Sequence, residues 1–177
     1  MKYAKKSGKR TGILSEVMSI LKSNEIYETI DYRNQSEDKI KQFIYRPLLE
    51  KVSEIEQESG VTKKTADKKA RKNLLWEGNM KTTVNNVVLF GTQHRPDMVL
   101  NIAGVSIAIE IKRGEIGSSI REGVGQSVVY AENYDFCVYL YIDTSKEKKI
   151  LNSVKGDKEQ RVIGQLWNNH NVMFGVV

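Results

Sequence analysis

Arg95-Pro96-Asp97 and Glu110-Ile111-Lys112 are the residues of this chain best suited to chemistry: two carboxylates and a lysine, thirteen positions apart at the acids, flanking an apolar stretch with a turn at its centre. Two carboxylates held close together repel unless a positive charge lies between them, and a hard divalent cation with oxygen ligands meets that need. Such an ion polarises a phosphoryl oxygen and acidifies a bound water, while a nearby ammonium orients the water or neutralises developing charge. The chemistry these residues suit is therefore hydrolysis at phosphorus.

The strands that must position them follow from the residues between. A tight turn at Ala103-Gly104 sets Asp97 opposite Glu110 and matches Met98 with Ile109, Leu100 with Ile107 and Ile102 with Val105, an entirely apolar face. The other face carries Asp97 with Glu110, Val99 with Ala108 and Asn101 with Ser106, and Lys112 joins it because side chains two apart on a strand share a side. A slip of one residue would drive the charges into the core, so the pattern specifies this register. Ala-Gly is not a favoured two-residue hairpin sequence, and a slightly wider loop about the same centre serves equally.

On these residues the chain resembles the PD-(D/E)xK nuclease superfamily, the fold of many restriction enzymes, junction resolvases and repair nucleases. The resemblance implies that Asp97 and Glu110 bind Mg²⁺, with Mn²⁺ as a substitute, that the carbonyl of Ile111 adds a ligand, and that Lys112 assists the attacking water. Ser36-Glu37-Asp38-Lys39-Ile40 through Arg46-Pro47-Leu48-Leu49-Glu50 is similar to the opening helix of several members, in which a glutamate near the start faces the metal. Glu37 is the first choice for that acid, Glu50 the alternative and Glu28 a distant third. Gln126-Ser127-Val128-Val129-Tyr130 looks like the Gln-x-x-x-Tyr element of RecB-like members, which flanks the site and touches DNA. The fold implied is α/β, a restriction-endonuclease-like core with a central mixed sheet flanked by helices in the order α-β-β-β-α-β. The activity implied is a metal-dependent DNA endonuclease; the alternative is a DNA-binding module with a nuclease-like fold and no turnover. One metal site cuts one strand, so an enzyme that breaks both strands or resolves a junction tends to be a homodimer, and a monomeric nickase fits as well.

Composition agrees with a polyanionic partner. Among 177 residues the formal charge is +6 and the isoelectric point about 9.3, and neutralised phosphates dominate non-specific affinity for nucleic acid. With 40% hydrophobic and 28% charged residues the chain is of ordinary globular make-up,. The single cysteine, Cys137, lies in an apolar run and reads as a core residue, so no disulfide framework is expected,. No apolar stretch reaches membrane-spanning length and the basic start lacks the apolar segment of a secretory signal, which points to an intracellular protein, cytoplasmic or nucleoid-associated, with no membrane partner.

Residues 1–10, with five Lys or Arg, are expected to be a flexible basic arm, and residues 11–177 a single nuclease domain,. Apolar spacing predicts a helix from Thr11 to Ser23. Ser36 caps a second helix with Glu37 and Asp38 in its first turn and Ile40, Phe43, Ile44, Leu48 and Val52 as its buried stripe, and Pro47 should kink or divide it. Lys63, Lys64, Lys68, Lys69, Arg71 and Lys72 surround one acid in a segment suited to phosphate contacts, with Trp76 beyond it as a core anchor,. Thr82 to Ile102 suggests two strands with a bend; Arg95 is placed on DNA, and His94 is a surface histidine in preference to a phosphate contact. A helix from Ser118 to Asn133, a buried strand from Phe136 to Ile142, a helix from Lys158 to Asn168 and a strand from Val172 to Val177 complete the chain.

Overall fold

The computed structural model describes residues 6–177. Four helices come first, α1 (Gly8–Leu21), α2 (Asn24–Glu28), α3 (Glu37–Gln57) and α4 (Lys63–Asn73), followed by β1 (Leu74–Trp76), β2 (Val87–Leu89), β3 (Thr92–His94), β4 (Met98–Ile102) and β5 (Val105–Gly114). Then come α5 (Gly117–Ala131), β6 (Phe136–Asp143), α6 (Lys149–Ser153), α7 (Asp157–His170) and β7 (Val172–Val176). Five strands form one mixed sheet in the order β1-β4-β5-β6-β7, with β1, β4 and β5 paired antiparallel and β5, β6 and β7 parallel. This is the expected α/β architecture, a central mixed sheet flanked by helices.

The β4–β5 hairpin has the register that the alternation of apolar and polar residues requires: Met98 faces Ile109, Leu100 faces Ile107, and Ile102 faces Val105. The loop is the tight one. Ala103 and Gly104 take φ of 48° and 73°, the left-handed pair that matches the twist of the flanking strands. Ala103 pays about 1–2 kcal/mol for that conformation.

Burial divides the sheet into two layers. Ile107, Ile109 and Ile111 pack with Val17, Leu21, Ile40, Ile44, Leu48 and Val52 of α1 and α3. Ala108, Cys137, Tyr139 and Tyr141 pack on the opposite face with Tyr130 of α5 and Leu166 of α7. With helices on both faces, β6 is buried at every position, which explains its unbroken apolar run. In α5, a Cβ on Gly123 would lie 2.3 Å from the Tyr139 ring, so a glycine is what lets this helix sit against the sheet.

Several expectations are corrected. Helix α3 runs unbroken through Pro47. Phe43 is exposed, with the Lys39 ammonium 5.6 Å from its ring, because the buried stripe follows 40, 44, 48 and 52 at strict i+4 steps and leaves position 43 beside it. Four short elements were not foreseen: helix α2, the edge strand β1, strand β3, which makes a separate hairpin with β2, and helix α6, all of five residues or fewer and too short to show a period,. Of the expected flexible arm, residues 1–5 lie outside the described residues. The remainder is docked: helix α1 begins at Gly8, Arg10 pairs with Asp135 at 2.7 Å, and the Lys6 ammonium lies 4.4 Å from the Trp167 ring centre. Among the described residues no helix is long and apolar enough to cross a membrane.

Candidate active site

The antiparallel hairpin carries Asp97 to the start of β4 and Glu110 and Lys112 to the far end of β5, and the first turn of α3 arrives at the same place. Ser36 holds that turn by accepting the amide of Lys39 at 3.2 Å. Glu37 therefore projects from a fixed helix start, and its Oε2 accepts the amide of Arg113 at 3.3 Å. Glu50 does not come to the site; it pairs with Arg46 on the exposed side of α3. Glu28 is exposed at the end of α2. The acid that the fold brings beside Asp97 is Glu37.

Asp97 is buried, 6% exposed, and both of its oxygens are engaged. Oδ2 accepts the amide N–H of Ile111 at 2.7 Å, and Oδ1 lies 2.5 Å from the ammonium of Lys41. That ammonium also meets Glu37 Oε1 at 2.8 Å. Glu110 is 2% exposed; its Oε1 is 3.0 Å from Lys112 Nζ, and its Oε2 is buried without a hydrogen-bond partner. A cleft lined by Asp38, Lys41, Gln42, Trp76, Glu77 and Asp97 opens onto the group.

The electrostatics follow from burial and crowding. Burial, and then the charge of Asp97, push the Glu110 carboxyl up to about 7, against the pull of Lys112. Burial also raises Asp97, opposed by Lys41 and by the Ile111 amide. Burial alone would lower Lys41, but Asp97 and Glu37 outweigh it and hold this ammonium above its ordinary value. Lys112 is likewise raised, burial being outweighed chiefly by Glu110. Both lysines are thus charged at neutral pH.

Lys41 is the site residue that sequence reasoning missed. A lysine in the first turns of a helix reads as solvated surface. Its signal was its spacing: four residues after Glu37, three before Ile44 and seven before Leu48, which puts it on the buried face of α3,.

The site fits a hard divalent cation on its Glu110 side. A carboxylate oxygen buried with no partner is costly unless something positive completes it. Asp97 lies beside it. Amide and carbonyl of one strand residue point the same way, so the Ile111 carbonyl shares the side of the amide that Asp97 holds,. Among the described residues, however, no group of three or more His, Cys, Asp and Glu side chains is gathered tightly enough for a metal by itself. Lys41 stands between Glu37 and Asp97.

The flanking elements separate into surface and support. Lys63, Lys64, Lys68, Lys69, Arg71 and Lys72 are all exposed on α4, while Ala66 and Ala70 form its buried face and Asp67 accepts Ser53 Oγ at 2.6 Å. Trp76 packs on Tyr45 with ring centres 5.2 Å apart. Arg95 is exposed, reaching Glu77 at 3.3 Å and Asn86 at 3.1 Å. His94, half-buried, faces Val87 across the β2–β3 hairpin. Tyr130 cannot touch DNA directly, a correction to the expectation: it is fully buried, because it packs against Cys137 and Tyr139 beneath α5. Its hydroxyl donates to the Arg95 carbonyl at 2.8 Å, so it supports the segment that leads into Asp97. One turn earlier, Gln126 is half-buried and its Oε1 has no partner. Cys137 is buried, and burial pushes its thiol up, so it is a core residue and no nucleophile,.

No family model matches the chain, and no curated protein matches it. Among solved structures it is similar to the restriction endonuclease PspGI in its complex with substrate DNA, at 12% identity and a TM-score of 0.30, over 93% of this chain and 88% of that one. A superposition so loose transfers no residue's role.

Proposed function

We propose that this chain is a metal-dependent deoxyribonuclease that hydrolyses phosphodiester bonds in DNA. The observation that carries the reading is Glu110: a buried carboxylate with one oxygen on Lys112 and the other unpartnered, beside Asp97. A bound Mg²⁺ or Mn²⁺ would supply a Lewis acid for the phosphoryl oxygen and acidify water. Asp97, Glu110 and the Ile111 carbonyl are its ligands in this reading. Asp97 is kept in place from behind by the Ile111 amide and Lys41. Lys112 offers a charged donor to the attacking water and to the charge that grows on phosphorus. The exposed lysines and arginine of α4, with Arg95, give a surface that meets phosphates without reading bases. Gln126 lies on α5, the helix whose Tyr130 holds the Arg95 carbonyl, and its free amide oxygen is available to orient substrate.

One observation favours a second reading, a DNA-binding module without turnover. Lys41 already bridges Glu37 and Asp97, so these two carboxylates are held together without metal. Incubation with supercoiled plasmid, branched junctions and single strands separates the two. Cleavage that needs Mg²⁺, stops in EDTA and is lost in Asp97→Ala and Lys112→Ala is the expected result. Retained binding with every substrate intact would establish the second reading instead.

A further inference from the structure

The Lys41 ammonium is held between two carboxylates, 2.5 Å from Asp97 and 2.8 Å from Glu37, on a side chain only 10% exposed. Neither metal ligation nor water activation in the proposed reaction uses it. Its consequence is electrostatic. Glu37, Asp97 and Glu110 carry three negative charges when ionised, and Lys41 and Lys112 return two. One divalent cation and one phosphodiester then bring the site to neutrality. Without a phosphodiester, a second divalent cation would leave three positive charges uncompensated in a mostly buried place, one more than where Lys41 is absent, and such an excess is costly. It would also need the space between Glu37 and Asp97 that the ammonium fills.

We propose that Lys41 is a resident cation at the Glu37–Asp97 position, which limits the site to one divalent ion held on the Glu110 side. The proposal deepens the metal-dependent reading and rests on it, but the number of ions bound is measured apart from cleavage. Lys41 touches neither substrate nor reacting atoms here; it takes the place of an ion.

The test counts Mn²⁺ per folded chain, without DNA, by the paramagnetic resonance signal of the free ion. The expected counts are one for the wild type, one for Lys41→Arg, which keeps the charge, and two for Lys41→Gln, which exposes the paired carboxylates. Lys41→Gln should also melt at a lower temperature than the wild type in EDTA and recover when Mn²⁺ is added. A wild type that binds no Mn²⁺ beside a Lys41→Gln that binds one would sustain the resident cation and defeat the metal-dependent nuclease. Two ions on the wild type, or equal counts for wild type and Lys41→Gln, overturn the proposal. Should Lys41→Gln fail to fold, acylation of lysines on the wild type followed by mass spectrometry decides: Lys41 should stay equally protected with and without saturating Mn²⁺. A tenfold rise in its labelling on adding Mn²⁺ would mean that the metal displaces the ammonium, and the idea fails.

Discussion

Asp97 Oδ2 accepts the amide of Ile111 at 2.7 Å, so the side chain just before β4 is tied to the backbone of β5 beyond the last paired residues of the two strands. The bond replaces a rung of the ladder and fixes the carboxylate before any ligand arrives. Asp97→Asn keeps an acceptor for Ile111 but loses the charge that Lys41 faces. Breaking one partner of a buried ion pair typically costs about 3–5 kcal/mol, and because Glu37 still pairs with Lys41 the loss should fall near the lower end, about 3 kcal/mol. Chemical denaturation measures it. Under the proposed function, cleavage should fall by roughly 100-fold or more, since a charged group of the site is lost.

The raised carboxyl of Glu110 makes a prediction about pH in the absence of metal. Folded, it keeps its proton up to about 7, whereas its ordinary value is 4.5. Between those values the folded chain binds the extra proton, so stability falls as pH rises through the window. Melting in EDTA from pH 4.5 to 7.5 should therefore show a downward contribution in the wild type that Glu110→Gln lacks. Parallel curves for the two proteins would contradict the assignment.

Tyr130 and the basic face of α4 should behave oppositely. Tyr130→Phe leaves the Arg95 carbonyl without its donor and should cost about 0.5–1.5 kcal/mol of stability, with DNA affinity changed less than twofold because the tyrosine is buried,. Lys64, Lys68, Arg71 and Lys72 are exposed. Their joint replacement by Ala should leave stability nearly unchanged and flatten the dependence of log affinity on log salt by about 0.9 for each phosphate no longer neutralised. Fluorescence anisotropy at several salt concentrations reads both.

Two glycines in α5 differ in purpose, and substitution should reveal it. A Cβ at Gly123 meets the Tyr139 ring at 2.3 Å, and nothing lies within 4 Å of one at Gly125. Gly123→Ala should destabilise by about 1–3 kcal/mol through overpacking. Gly125→Ala should stabilise by about 1 kcal/mol, the helix-propensity gain. Thermal unfolding of the two variants checks the contrast.

Alternation along residues 97–112 determined the β4–β5 register, because a period of two with one apolar face leaves no other pairing that keeps Asp97, Glu110 and Lys112 off that face,. The cap at Ser36 and the apolar run at Phe136 were equally local, and so were legible. Only the tertiary structure could decide which acid joins Asp97, since Glu37 and Glu50 lie on one helix and their difference is the direction from which α3 meets the sheet. The same packing turned Lys41 inward and Phe43 outward, and drew Tyr130 beneath its own helix. A residue's type states what it can do, but burial and the charges around it depend on segments that lie far away in sequence. Lys41 and Asp97, 56 positions apart, meet only when α3 lies across the sheet.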